Sequence, residues 1–563
     1  HHLMSYNYLL THEFPKIINA SVNNTIQSEV HPSFRIKYKR IRVLKPEITE
    51  NFHTRRLYPH ECRLRDITYS GIIEVDVEIV YDHEYYGFTK PINNLSIGRI
   101  PVMLGSDYCW LNGMGARELA EIQECQYDPE GYFVIKGVEK VVLMQEQLCR
   151  NKVLVDVDGK TNLLQASCAS ATLETKSKIA IVIKNSRLYL KSSSFKELIP
   201  LFIALKAMGI ETDKRLVELV EPFLPHEMPS PQFDEFCNLM YMNFESLIQH
   251  AILSQYDALH FLSSRVKYLF KSESSKNLNE KIDEVHEILS KIVLPHVRAT
   301  KDDYLQKTSY VGFMARRLLR AHLKLDRMQE GQTDIRNDRD FLGNKRIECA
   351  GEMLGLLFED LFKRFNGELK KEMDKYLLKL KKLDTLHDNI DNFVKMLCST
   401  DTITHGLIQA ISSGNWSIKR FKVDRKGVTQ VLNRINHLGA LGMLTRMESH
   451  IEKSRKVSGP RSLQCSHWGF ICPVDTPDGE NCGLVKNLAL LAKITIASDD
   501  AVVLAYMDKL GLLELGVFGL SDMKRGMWLV QLNGRIVGGV SRPHDFVNRL
   551  KQLRRGGRID KYT

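Results

Sequence analysis

The chain has 563 residues, of which 43% are hydrophobic and 26% charged, a composition that fits folded protein of several domains and excludes a disordered or fibrous chain. No apolar run reaches the roughly 18 residues of a membrane-spanning helix; the best candidate, Leu198 to Ile210, is short and interrupted by Pro200 and Lys206. The net charge of +11 leans toward polyanionic partners, and eleven cysteines without a single Cys-x-x-Cys pair argue against a disulfide framework or a zinc ribbon.

The chain opens His1-His2-Leu3-Met4, where no cationic region precedes an apolar stretch, so these residues read as a tag remnant or truncated start and not as a signal peptide. Residues 5 to about 150 read as mixed α/β. Apolar and polar residues alternate over Ser33–Tyr38 and Gly71–Ile79, as in half-buried strands. The stretches Pro59–Asp66, Ile97–Leu104 and Asp128–Gly137 punctuate this part; the last reads as turn, strand, turn. Residues 151 to about 335 open with strands at Lys152–Val157, Ile179–Ile183 and Leu188–Lys191, then become helical from Ser246 to Leu323, with an exposed loop or helix end at Lys271–Lys276.

A polar turn over Asn337–Arg346 precedes a strongly patterned helix. Leu354, Leu357, Phe358, Leu361, Phe362 and Phe365 recur at helical spacing and are expected to face a core. A second helical run to about Ser399 follows. Gly414-Asn415-Trp416 then opens a basic region. Between Ser417 and Arg461 lie Lys419, Arg420, Lys422, Arg425, Lys426, Arg434, Arg446, Lys453, Arg455, Lys456 and Arg461, against only Asp424, Glu448 and Glu452. Such a local excess is the electrostatic footprint of a polyanion site, with a solvated basic surface as the plainer alternative.

From Arg455 to Leu488 the chain passes through a Gly/Pro-broken basic limb, a His467-Trp468-Gly469 corner and an acidic turn, Asp475-Thr476-Pro477-Asp478-Gly479. It ends in a mostly apolar run, Leu484 to Leu491, interrupted only by Lys486 and Asn487. In the turn, Pro477 fixes φ, Asp478 is expected to bond to its own backbone, and Gly479 takes positive φ. Trp416 and Trp468 are expected to pack at loop corners, and His467 and His60 to be structural. From about Ile494 onward the sequence becomes an α/β segment.

Familiar chemistry is missing from the pattern. There is no phosphate loop and no His-Glu-x-x-His helix. Gly113-Met114-Gly115 fails the dinucleotide fingerprint at its third glycine. Asp475, Asp478 and Glu480 lack the spacing of a calcium loop, and no Ser/His/Asp arrangement stands out.

The wording GPRSLQ…WGFICPVDTPDGENCGLVKNLALL, together with the stretches quoted from the first 150 residues, closely resembles the second-largest, beta-like subunit of multisubunit DNA-directed RNA polymerases, and is most similar to the eukaryotic polymerase III form. The resemblance implies an α+β, multidomain fold: mixed protrusion and lobe domains plus an irregular fork region. Its boundaries fall at 1–150 and 336–412 for the protrusion, 151–335 for the lobe, 413–490 for the fork, and 491–563 for the start of an external domain. It places Lys419, Arg420 and Lys422 beside the RNA–DNA hybrid, and Lys453, Arg455 and Lys456 at the fork of downstream DNA. Arg446 and Arg461 complete the implied nucleic-acid contacts. Arg461 and Asp478 align with an arginine and a carboxylate near the active centre, although Asp478 stands where a longer Glu is usual. The family's two-metal chemistry depends on carboxylates mainly in the largest subunit, so this chain is expected to supply no catalytic residue, metal ligand or cofactor of its own. Mg2+ would be held by other parts of the assembly. The implied partners are the largest and other polymerase subunits, template DNA and the hybrid, with no membrane, in the nucleus. The alternative is a non-catalytic nucleic-acid-binding or assembly protein derived from the same fold.

Overall fold

The computed structural model describes residues 1–81, 88–159, 161–172, 175–221, 230–267, 278–300, 303–323, 338–379, 401–418, 423–449, 451, 454, 457–496, 498–515 and 527–563. They form mixed α/β structure built on several small sheets, divided between two compact units.

The first unit comprises residues 1–147 and 345–496. Its largest sheet is antiparallel, in the order Thr25–Gln27, Phe34–Val43, Ser70–Tyr81, Phe88–Pro101. The alternation seen in sequence is realised: Ile73, Val75, Val77 and Ile79 are buried, while Glu74, Asp76 and Glu78 between them are half-buried. On that outer face Lys39 meets Glu78 at 2.7 Å and Arg42 meets Asp76 at 3.3 Å across the strands. The inner face is covered by the 30-residue helix Ala350–Lys379. All six residues of its apolar stripe are buried, and Phe358 stacks on Phe14 with ring centroids 4.2 Å apart. Each such side chain contributes roughly 2 kcal/mol by leaving water. The second helical run expected up to Ser399 falls on residues 380–400, outside the described residues; a further helix, Thr402–Ser413, joins the same core.

The first residues pack into the first unit. The helix His2–Tyr8 buries Tyr6, whose hydroxyl donates to the Pro101 carbonyl at 2.8 Å. His2 is also buried, with Nε2 2.8 Å from the Leu444 carbonyl, and burial lowers its imidazole to about 4.

The second unit comprises residues 148–344 and 497–563. Its five-stranded antiparallel sheet runs Val153–Val157, Leu164–Ala171, Lys176–Lys184, Arg187–Ser192, Ile199–Pro200. Helices begin well before Ser246: Leu201–Ala207, Asp213–Val220 and Ser230–Gln249 pack with Gln255–Ser263 and Leu305–His322 around one core. The apolar run at Leu198–Ile210 is thus a buried core segment. Lys206 keeps its ammonium satisfied at the Leu253 carbonyl, 3.3 Å, and at Asp213, 3.3 Å. No helix among the described residues is long and apolar enough to cross a membrane. The Lys271–Lys276 segment lies outside the described residues. Residues after 497 add a small antiparallel sheet, Leu513–Glu514, Arg535–Val540, Trp528–Leu532, flanked by Asp500–Lys509 and Pro543–Arg555.

Candidate nucleic-acid interface

The loop that joins the basic limb to the acidic turn is held by its own backbone. It turns at Gly459–Arg461, Cys465–His467 and Gly479–Asn481, then enters the strand Val485–Asn487. The two limbs pair antiparallel: the Cys472 amide donates to the Asn487 carbonyl and the Ala489 amide to the Phe470 carbonyl, both at 2.9 Å. Within this closure the Thr476 hydroxyl donates to the Val485 carbonyl at 3.0 Å and accepts the Gly483 amide at 2.9 Å. Arg461 Nη1 donates to the carbonyls of Glu480, 2.7 Å, and Cys482, 2.9 Å. One guanidinium therefore ties the basic limb to the far side of the acidic turn.

Gly479 has φ +76°, as the Pro-Asp-Gly pattern requires. Asp478 does not behave as expected. It is exposed and extended, and its side chain caps nothing. The Thr476 hydroxyl satisfies the turn in its place, and the Asp478 side chain stays exposed. Gly483 matters more for packing: its φ is +74°, and a Cβ there would lie 2.3 Å from the Arg461 carbonyl oxygen. Gly483→Ala is expected to lower the stability of the first unit by about 2 kcal/mol. Urea denaturation checks this; an unchanged midpoint would mean that the loop is not held in this form.

Behind the loop lies a four-stranded sheet in the order Lys345–Glu348, Met144–Leu148, Arg446–Ser449, Val485–Asn487. Its interior is charged. Lys486 Nζ sits 3.0 Å from Glu146, and Lys345 Nζ sits 2.6 Å from the same carboxylate. Glu348 accepts from Gln147 at 2.7 Å and from Arg425 at 3.1 Å. Burial alone would raise the Glu146 carboxyl, but the two ammonium groups outweigh it and hold the group below its ordinary value. Burial along Leu484–Leu491 does not follow polarity. Lys486 and Asn487 are 6% and 5% exposed, whereas Leu490 and Leu491 are 98% and 88% exposed.

Of the basic residues singled out in sequence, Lys419, Arg420, Lys422, Lys453, Arg455 and Lys456 lie outside the described residues. Arg461 and Asp478 share the loop just described. Arg446 is half-buried in the sheet, opposite Asn487, with its Nε enclosed. Other members of the cluster have internal partners. Arg425 pairs with Glu348, and Arg434 reaches Glu139 at 2.6 Å and Asp128 at 2.8 Å. Lys426 is exposed. Part of the apparent charge excess is therefore neutralised by acids far away in sequence.

The aromatic residues divide. Trp416 is buried and donates from Nε1 to Thr429 Oγ1 at 3.1 Å, as a packing residue should. His467 is buried too, in keeping with a structural histidine. Trp468, expected to pack at a corner, is instead 62% exposed; Phe470 at 56% and Val474 at 82% are exposed as well. These exposures went unnoticed in sequence, because exposure of a large apolar residue has no local signature.

Comparison with known proteins places this geometry in a family context. A family model described as RNA polymerase beta subunit matches residues 1–405, and one described as RNA polymerase Rpb2, domain 3, matches residues 430–494. DNA-directed RNA polymerase III subunit RPC2 of Schizosaccharomyces pombe is 41% identical over 566 residues, which cover 100% of this chain and 46% of that protein. DNA-directed RNA polymerase III subunit 2 of Arabidopsis thaliana is 40% identical, again over 100% of this chain and 46% of the relative. DNA-directed RNA polymerase II subunit RPB2 of Schizosaccharomyces pombe is 28% identical over 94% of this chain and 43% of its own length. The chain thus spans just under half the length of the curated relatives it matches.

Proposed function

The chain belongs to the RNA polymerase beta-subunit family, and from that premise we propose that it serves as the N-terminal portion of the second-largest subunit of RNA polymerase III, in the nucleus. In this reading residues 1–150 and 336–412 are the protrusion, 151–335 the lobe, 413–490 the fork, and 491–563 the start of the external domain. Higher identity to polymerase III than to polymerase II relatives supports the choice of enzyme.

The subunit would wall one side of the DNA cleft and position the template and RNA–DNA hybrid, in assembly with the largest and smaller polymerase subunits. The observation that carries this reading is the loop between Arg461 and Gly483. Its exposed acidic turn is tied to Arg461 through the Glu480 and Cys482 carbonyls and to the following strand through Thr476. Phosphate contacts position a duplex or hybrid without reading its bases. Among the described residues no group of three or more His, Cys, Asp or Glu is arranged to hold a metal ion. The magnesium-dependent nucleotidyl transfer is assigned here to other parts of the assembly, and Lys419, Arg420, Lys422, Lys453, Arg455, Lys456, Arg446 and Arg461 to nucleic-acid contact.

Reversing Lys453, Arg455 and Lys456 together to Glu tests the assignment in an assembled, transcribing complex. Each lost phosphate contact is expected to flatten the dependence of log affinity on log salt by about 0.9, so the triple variant should lose about two to three units of slope and elongate more slowly. Unchanged elongation with unchanged salt dependence would contradict a nucleic-acid-facing role.

A further inference from the structure

The strand Val485–Asn487 holds the acidic turn at both of its ends. The Val485 carbonyl accepts from Thr476, the Asn487 side-chain amide donates to the Asp475 carbonyl at 3.4 Å, and the Asn487 carbonyl accepts the Cys472 amide at 2.9 Å. Successive strand residues point to opposite faces, so Lys486 projects away from its two neighbours. It lies opposite Met447, which in turn pairs with Met144. From that apolar row its ammonium reaches both oxygens of Glu146, at 3.0 and 3.3 Å. Lys345 reaches the same carboxylate at 2.6 Å from the other side. The side chains of Lys486, Glu146 and Lys345 are 7%, 4% and 8% exposed.

A buried ammonium that loses its carboxylate is strongly penalised, whereas a buried methionine tolerates a small shift of its strand. The ion pair therefore fixes the depth and register of Val485–Asn487 more tightly than apolar packing would. We propose that Glu146 is a positioning residue for the acidic turn: by holding Lys486 it sets the strand that carries Asp475, Thr476 and, through them, Asp478. Glu146 lies 340 residues from Lys486 in the chain. Lys345 shares the carboxylate but has no place on the turn-bearing strand, and so acts as an internal control. The functional half of this inference rests on the reading of the turn as lying beside the active centre; the structural half does not.

The test uses the full subunit in the assembled polymerase, with Glu146→Gln, Lys486→Met and Lys345→Met. Glu146→Gln keeps shape and hydrogen-bonding capacity, so it reports on charge even where Lys486→Met fails to assemble. Hydrogen exchange at the Cys472 and Gly483 amides is expected to quicken about tenfold in Glu146→Gln and Lys486→Met, and by less than about twofold in Lys345→Met. Elongation should slow in the first two variants, with the KM for nucleotide and the salt dependence unchanged. Exchange that stays at the wild-type rate in both, or rises equally in Lys345→Met, overturns the proposal. Faster exchange with unaltered elongation leaves Glu146 as the positioning residue and overturns the placement of the turn beside the active centre.

Discussion

Lys307→Met is expected to remove about 4 kcal/mol from the stability of the second unit, because three enclosed carbonyls lose their N–H donor at once. Lys307 is fully buried in the helix Leu305–His322. Its ammonium donates to the carbonyls of Leu289 at 2.7 Å, Val293 at 2.5 Å, and Ser290. Those groups lie at and just beyond Ile288–Ile292, the last turn after Leu278–Glu287, where backbone carbonyls have no helical partner. Three acceptors call for three N–H donors, which only the charged form offers, yet burial pulls the group down to about 7. The folded value thus lies below the ordinary lysine value of about 10.4. Between the two, the unfolded chain keeps a proton that the folded chain releases, so this group makes stability rise with pH from about 7 toward 10. Denaturant titrations at pH 6, 7.5 and 9, with the second unit followed by hydrogen exchange, check both effects. The methionine variant should be weaker at every pH and should lose the rising slope. A variant within about 1 kcal/mol of the parent, with the slope intact, would show that the carbonyls are satisfied in another way.

Arg63→Met is expected to cost about 3 kcal/mol in the first unit. Arg63 Nη1 binds both oxygens of Glu124, at 2.9 and 3.1 Å, while Nε donates to Glu139 at 2.8 Å and Nη2 to the Tyr132 hydroxyl at 2.8 Å. Arg434 approaches Glu139 and Tyr132 from the other side, with its guanidinium 5.2 Å from the Tyr132 ring. This clamp sits against the smaller core of Cys62, Tyr69, Tyr132 and Val141. Burial would raise the Glu139 carboxyl, but the two guanidinium groups prevail and hold it below its ordinary value. A depressed carboxylate stabilises above its unfolded value and loses that contribution as pH falls through the folded one. Parent protein should therefore resist mild acid better than Arg63→Met. Urea denaturation at neutral pH and an acid titration of both proteins measure this. A loss below about 0.5 kcal/mol, with identical acid midpoints, would mean that Arg434 alone holds the Glu139 carboxylate and that Glu124 does not depend on Arg63.

What sequence made legible was local. The six-residue apolar stripe from Leu354 to Phe365 and the alternation over Gly71–Ile79 are properties of one element, and both appear where their periods place them. The strand Leu164–Ala171 was missed because its LQASCASA wording lacks β-branched residues and offers only weak strand propensity. The site depended on partners remote in sequence. Lys486 reads as an interruption in an apolar run until Glu146 is brought against it, and Arg425 and Arg434 read as surplus charge until Glu348, Asp128 and Glu139 arrive. Composition within a window counts charges but does not see which are neutralised by the fold. The acidic turn fell between these cases. Its glycine conformation was written in the Pro-Asp-Gly pattern, but the hydroxyl that satisfies the turn belongs to Thr476 and not to Asp478.

Isolation of the endogenous complex decides whether the chain works as part of RNA polymerase III. The protein, tagged at its own locus, would be purified from nuclear extract at moderate salt, and its stoichiometric partners identified by mass spectrometry. Co-elution with the largest subunit of polymerase III is expected, in fractions that support template-directed RNA synthesis. Elution apart from that subunit, or with the largest subunit of polymerase I or II instead, would contradict it.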